Sequence, residues 1–560
     1  MEQKKLKQIV TFFILCWSLL ANAQYLPKDD AKLNYNQIYF EYPYNVNAKL
    51  FKLILAYDSS QLKNDFNSYS ILTKTDRTPA TLVKDLQFGK KYKWYIETTL
   101  KSGETLKSEA HYFTLLNTSY NDTSLYKRKI NYNHKSEIQD GIIWCDFSHC
   151  AFDRSGKLVW FMPTDNSEFK ESSRVRDIRF QKDGTFTFIK NPGAMHANLD
   201  ISSIWEAPLS GEHFEKFKNG YHHSMEKLPN GNYMLLAYDY VELEKTDAKD
   251  TLTNRVELVN LIEFNQYKEI VWIWEMRESF PLDILAVPKE NDRGIINAHC
   301  NAFSVDKNNE FIFIGFRDIS RIIKIDKKSK KIVAAYGKKL NDADSLVYPT
   351  TLFSYHHDTR VLNDNSIMVL NNNDFNAGQI ASVEIFKQPK TKSDIIKPIW
   401  SFKFNFDTIN NGKSLKLGNV KILDNGNYLI NEGSSNRIVE ITKNKKVLWD
   451  MMLYRKDKEK NKWVNFGSYR IDFSTSLYPY YFSAAITNNM VTIFNEGDFK
   501  DNYKIEVLNK DQLVIETIVS KKLIAPQELI HLKYQTLSNA AKSLKITSLQ
   551  SEKEKKIMLN

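Results

Sequence analysis

Beyond its first two dozen residues the chain contains no apolar run approaching the roughly 20 residues of a membrane-crossing helix, so no membrane insertion is expected. It also shows little of the apolar periodicity that marks long amphipathic helices, which argues against a helical fold. Cysteine is scarce, four in 560 residues, with Cys16 inside the N-terminal apolar run. Cys145 and Cys150 are close enough in sequence to bridge in an oxidising compartment, leaving Cys300 over; the alternative is three buried thiols. The formal net charge is +11, with its densest basic clusters at Lys324–Lys331 and Lys456–Lys462, and no recognition motif for nucleic acid accompanies it. Nucleic acid is therefore not an expected partner.

What is there begins with Met1–Ala23: Lys4, Lys5 and Lys7, an apolar run from Ile9 to Leu20, and Ala21-Asn22-Ala23 ahead of Gln24. This is the pattern of a secretory signal with a small-x-small cleavage site, and it implies export. Leu15 stands before Cys16 where a lipobox wants a small residue, so no lipoprotein is expected. Loss of residues 1–23, which carry three lysines and one glutamate, leaves a charge of +9 and a weak preference for anionic ligands.

An Asn/Asp/Gly turn followed by an alternating apolar strand recurs at Asp153–Trp160, Lys182–Ile189, Pro229–Leu236, Lys307–Ile314, Asn363–Leu370 and Asp424–Ile430. Each copy reads as a β-hairpin, because the turn residues accept tight backbone angles and the strand alternates with period two. Further strands ending in tryptophan follow, as at Trp272, Trp274 and Trp449. Roughly 350 residues shared among six such units gives about 58 each, near the length of known blade repeats. The expectation is an all-β chain with a six-bladed β-propeller over residues 121–474, since radial repetition leaves only short protected edges. Residues 24–120, with a turn-tyrosine-x-tryptophan strand pattern around Trp94, resemble a fibronectin type III sandwich. Residues 475–560 suggest a second, small β-rich domain, with a polar tail expected to fray after Lys542.

Three blades carry histidine at one register: His222-His223, Ala298-His299-Cys300-Asn301, and His356-His357-Asp358. His223 and His357 each stand seven residues before their turn residue, Asn230 and Asp364, and His299 stands nine before Asn308. Other blades place Arg176 and Gly418 near that register, so the blade itself does not require histidine. One such histidine is commonly a structural hydrogen-bonding partner. Three in consecutive blades, joined by Asn301 and Arg317, point instead to a site on the shared axis. Three imidazoles and a water can also make a zinc site. Against a metal, no ligating carboxylate other than Asp358 is placed with them, and Arg317 would set a fixed cation beside it. The arginine suits a compact oxyanion better, so neither metal nor cofactor is expected.

The run His-His-x-x-x-x-Leu-Pro-Asn-Gly-Asn-Tyr at 222–233, Ala-His-x-Asn at 298–301 with arginine eighteen residues after the histidine, and His357-Asp358 ahead of a turn together resemble the bacterial arylsulfate sulfotransferases. The trailing Ser468-Tyr469-Arg470 and Ser476-Leu-Tyr-Pro479 extend the resemblance, which covers about residues 125 to 475. That family consists of periplasmic six-bladed propellers that move a sulfuryl group from a phenolic sulfate ester to a phenol through a sulfated histidine, without phosphoadenylyl sulfate. Carried over by residue, the resemblance implies His357 as nucleophile, with His223, His299 and Arg317 handling protons and the sulfuryl group. Asn301, His356, Asp358 and His222 are expected beside them as substrate-binding residues. Ser224 departs from the aspartate expected after the second histidine.

The chemistry agrees. A histidine is largely neutral at pH 7 and can attack sulfur without a separate base. A loose transition state places charge on peripheral oxygens that an arginine fork can meet. A phenolate, with a conjugate pKa of about 10, leaves with modest help, which explains a preference for aryl donors. The expected partners are a small phenolic sulfate and a phenol, and a homodimer is compatible with the sequence. Two other readings stay open: an aryl sulfate hydrolase using the same pocket, and a non-catalytic propeller that binds glycan or protein.

Overall fold

The structure, a computed structural model, describes residues 25–559 apart from 59–71, 77, 164–174, 243–254, 281–294, 341–343, 375, 406–410, 458 and 536–539. The expected signal segment, residues 1–23, lies outside the described residues. The chain is all-β; the α-helix among the described residues is the single turn Met276–Ser279. No described helix is long and apolar enough to cross a membrane.

Through the middle of the chain antiparallel sheets follow one another, each built from strands adjacent in sequence. Val175–Phe180, Tyr221–Lys227, Cys300–Val305, His357–Val361 and Asn419–Ile422 each begin one, and each packs against the next. The last inner strand, Ile471–Ser474, comes late in the chain and pairs with Ile142–Cys145, completing the sheet that continues through Cys150–Asp153 and Leu158–Phe161. It packs against both Asn419–Ile422 and Val175–Phe180, so the inner strands close a ring.

The hairpin turns fall where the sequence marks them, for a local reason. Asp153, Asp183, Asn230, Asp306, Asp364 and Asn425 each accept hydrogen bonds from amides two to five residues ahead, folding the chain back on itself. The recurrent outer tryptophans are latches between sheets. Trp160, Trp272, Trp400 and Trp449 donate their indole N–H to the carbonyls of Leu199, Lys327, Lys443 and Arg154 in the following sheet.

The inner strands are also stapled to one another by side chains. Asp177 accepts from the Met225 amide (2.9 Å), Ser304 from Val361 (3.1 Å), Asp358 from Val420 (2.9 Å), Asn419 from Ile471 (2.8 Å) and Asp472 from Phe180 (2.8 Å). Buried amides are thereby satisfied around the ring.

Ahead of this region, the sheet containing Ala48–Tyr57, Lys91–Leu100 and His111–Leu115 shares a core with the pair Ile38–Glu41 and Ala80–Val83, around Phe40, Leu53, Trp94 and Phe113. After it, Phe482–Thr487, Met490–Asn495 and Leu529–Lys533 share a core with a four-stranded sheet. That sheet includes Ser543–Ser548 and Glu554–Met558, so the tail expected to fray is paired; its apolar residues Leu544 and Ile546 are fully buried. Cys145 and Cys150 face each other in register across adjacent strands, yet both are free thiols and, like Cys300, buried.

Candidate active site

Four of the six inner strands enter the ring through an irregularity, while Asn419–Ile422 and Ile471–Ser474 pair regularly. Pairing slips between Arg176 and Arg179, Tyr221 and Met225, Cys300 and Ala302, and His357 and Arg360. Left-handed backbone falls at the same places, at Asp177 (φ 55°), His223 (φ 58°), His299 (φ 55°) and Asp358 (φ 52°). Bulges of this kind re-aim side chains that strict alternation would send into the sheet.

The re-aimed rings converge. His223 and His299 lie 5.3 Å apart by ring centroid, and His299 and His357 lie 6.4 Å apart. Tyr469 sits among them, 5.6 Å from His223 and 6.3 Å from His357, with its hydroxyl donating to the Asn301 carbonyl (2.9 Å). Behind His223 stands His222, with the two Nδ1 atoms 2.7 Å apart and the His222 ring stacked on Tyr238 at 3.8 Å.

Two guanidinium groups flank the rings. Arg317 ion-pairs with Asp318, donates Nη2 to the Leu415 carbonyl (3.1 Å) and lies 5.4 Å over Tyr355, while its buried Nε has no protein partner. Arg176 lies 5.6 Å over Tyr469, and its Nε likewise has none. Burial lowers the pKa of the histidines, and the cations lower it further. His299 is brought down to about 4 by burial and Arg317 against the pull of Asp318, although 31% of its side chain remains open to solvent. His223 and His357 are held well below the ordinary histidine value by burial and by neighbouring imidazoles and arginines. The rings are thus neutral at pH 7.

Beneath them Arg470 closes the axis. It is fully buried and donates to Asp177 (2.6 Å) and to the Asn301 carbonyl (2.7 Å), with Asp358 at 3.8 Å from its Nε. Burial pulls its pKa down, but Asp177, Tyr469 and Asp358 more than reverse this. For Asp177 burial acts upward and is outweighed by Arg179, Arg470 and Arg360, which hold it below the usual carboxylate range. Arg470 and Asp177, with Arg360, Lys421 and Asp472, line a cavity of about 760 Å³ that none of the histidines borders.

Of the residues expected from sequence, His223, His299, His357 and Arg317 are gathered at one end of the ring. Asn301 is turned into the frame, donating Nδ2 to the His356 carbonyl (3.0 Å). Asp358 accepts from Arg360 (2.8 Å) as well as from Val420. His356 is buried under Phe353, with ring centroids 4.8 Å apart, and against Gly315, where an added Cβ would come within 3.0 Å of its Nε2. Sequence reasoning assigned no role to Asn372, Tyr469 or Arg176. Tyr469 stands in the Ser468-Tyr469-Arg470 run and Arg176 at the histidine register, but Asn372 stands in a polar run with no distinguishing mark. Among the described residues no group of three or more His, Cys, Asp or Glu side chains is placed to hold a metal ion.

A family model described as Arylsulfotransferase (ASST) matches residues 145–461. None of the curated proteins matches the chain. Among solved structures the chain is similar to a protein of unknown function from Bacteroides caccae, with 13% identity and a TM-score of 0.37, covering 60% of this chain and 98% of that one. It is also similar to a putative 6-phosphogluconolactonase from Bacteroides uniformis (12% identity, TM-score 0.29, 76% of this chain and 99% of that one) and to a streptogramin B lyase (10%, 0.27, 78% and 98%). Likenesses this slight carry no argument about chemistry.

Proposed function

Because the chain belongs to the arylsulfotransferase family, we propose that it moves a sulfuryl group from a phenolic sulfate ester to a phenol by a ping-pong route through sulfated His357, without phosphoadenylyl sulfate. The observation that carries this reading is the convergence of three neutral imidazoles from successive inner strands beside Arg317 and Arg176. A neutral imidazole is a nucleophile at pH 7, and the cations complement the oxygens of a sulfate ester and lower the barrier as charge redistributes. His223 and His299, also neutral, are suited to take the proton of an incoming phenol. Tyr469, walled by rings and cations, offers an aromatic floor to an aryl group. Asn301 and Asp358 then act through the frame, holding the strands that carry the rings.

The architecture that goes with this reading is a six-bladed propeller over residues 121–474, closed by Ile471–Ser474. A sandwich lies before it and a small β domain after it, in a protein exported to the periplasm after loss of residues 1–23. The test is a chromogenic aryl sulfate with and without a phenol. Release that depends on the acceptor is the expected result; release without it would mean hydrolysis, and no release would leave a binding protein.

A further inference from the structure

The proposed transfer needs one nitrogen of His357 without a proton, and the groups around the ring decide which. Nδ1 lies 2.6 Å from Asn372 Oδ1, and Nε2 lies 3.3 Å from the backbone nitrogen of Leu417. A backbone N–H can only donate, so Nε2 carries the lone pair and Nδ1 the proton. The orientation of the Asn372 amide follows independently. Its Nδ2 lies 3.2 Å from the Leu417 carbonyl, which can only accept, and 3.1 Å from Ser414 Oγ, which donates its own proton to the Glu432 carbonyl (2.8 Å). Oδ1 is therefore the atom that faces the imidazole. Asn372 is completely buried, just beyond the strand Ser366–Asn371, and binds the same turn that presents the Leu417 amide. Leu417 itself holds φ 69°, a strained conformation for a branched side chain, so the turn keeps that amide in place against local preference.

We propose that Asn372 is a positioning residue that holds His357 as its Nδ1-protonated tautomer and so delivers Nε2 as the atom that takes the sulfuryl group. This rests on the sulfotransferase reading and deepens it. In the transfer step the Nε2 lone pair forms the N–S bond while the S–O(aryl) bond breaks and its electron pair leaves on the phenolate oxygen. Nδ1 keeps its proton, so the ring becomes cationic, balanced by the sulfonate it carries, and the phenolate keeps the negative charge the donor brought. The hydrogen bond from Nδ1–H to Asn372 becomes charge-assisted as this develops, so it strengthens toward the transition state. Once Nε2 is sulfonated, the Leu417 N–H loses its acceptor and is left within reach of a sulfuryl oxygen.

The test uses the full chain labelled with ¹⁵N at histidine, with the His357 resonances assigned by their loss in His357→Gln. At pH 7 the expected form has a proton on Nδ1 and none on Nε2. Asn372→Leu, close in shape but without an acceptor, should shift His357 toward the Nε2-protonated tautomer and lower kcat about 10- to 100-fold, with KM for the aryl sulfate little changed. Asn372→Asp keeps an acceptor, so it should keep the tautomer, recover part of the rate and move the acid limb of the pH–rate profile upward. An Nε2-protonated His357 in the wild-type protein, an unchanged tautomer in Asn372→Leu, or equal losses in both variants would overturn the proposal. Should Asn372→Leu not fold, the wild-type tautomer and Asn372→Asp decide. A wild-type protein that transfers no sulfuryl group, yet shows the expected tautomer response, would sink the functional reading while leaving the tautomer lock in place.

Discussion

The axis of the ring has two levels, and they treat polar groups in opposite ways. At the upper level His223, His299 and His357 are neutral, and the Nε atoms of Arg176 and Arg317 have no protein partner. At the lower level Asp177, Asp358 and Asp472 each accept from a neighbouring strand, and Arg470 reaches Asp177 and the Asn301 carbonyl. The same strands supply both levels, a residue or two apart. The lower level spends its hydrogen bonds on the ring; the upper level leaves capacity for something that is not protein. Arg470 also keeps an unpartnered Nε, but it is ion-paired with Asp177; what sets the upper level apart is that its two unpartnered guanidinium donors stand beside neutral rings.

The sharpest way to break this comparison is to remove one residue from each level. His357→Ala should lower the turnover of aryl sulfate by at least roughly 10⁴-fold, with the thermal transition nearly unmoved; a parallel loss of stability would make His357 part of the frame. Arg470→Met should do the reverse of sparing the fold. It takes the buried cation from Asp177 and Asp358, which keep Arg179 and Arg360 as partners, at about 1.5–3 kcal/mol in urea unfolding, and a loss under about 1 kcal/mol would mean the lower level is not structural.

Arg317→Lys sharpens the contrast within the upper level. Lysine keeps the charge but gives up the planar donors, so the rate should fall by an amount equivalent to roughly 2–4 kcal/mol. Activity near that of wild type would mean only the charge matters there.

The smallest effect expected is on pH dependence. The histidines titrate lower in the folded protein than in the unfolded chain, His299 at about 4 and His356 at about 3, both chiefly through burial. Between about 6.5 and about 4 the unfolded chain binds more protons, so the stability these groups contribute is present above pH 6.5 and lost as pH falls through that window. Asp146 works the other way, raised to about 7 chiefly by burial, and favours the folded state at low pH. With more histidines than such carboxyls, the thermal transition should drop by a few degrees between pH 7 and 4.5, to within about a factor of two; a rise over that range would show that Asp146 dominates.

Much of this was legible in the sequence, because period-two strands and Asn/Asp/Gly turns are local signals with local causes. The turn residues Asp153, Asn230 and Asp364 cap turns in the structure as their type suggests. The convergence of His223, His299 and His357 followed from counting back from those turns. The count could not tell which way a side chain faces within a bulge. The left-handed residue falls at His223 in one strand but at Asp358, after His357, in another. That difference sends Asp358 into the frame and His357 toward the site. Asn301 looked like a ligand because it follows His299 by two residues, yet its amide is taken by the His356 carbonyl 55 residues away. Asn372 was illegible for the same reason, since its partners, His357, Ser414 and Leu417, meet only when the ring closes.

The central claim is that the upper level holds a nucleophile, and peptide mass mapping after incubation with an aryl sulfate and no acceptor tests it most directly. The account predicts one sulfuryl group on the peptide containing His357, acid-labile and lost when a phenol is added. The same adduct on His223 or His299, or none on any histidine while acceptor-dependent transfer proceeds, would contradict it.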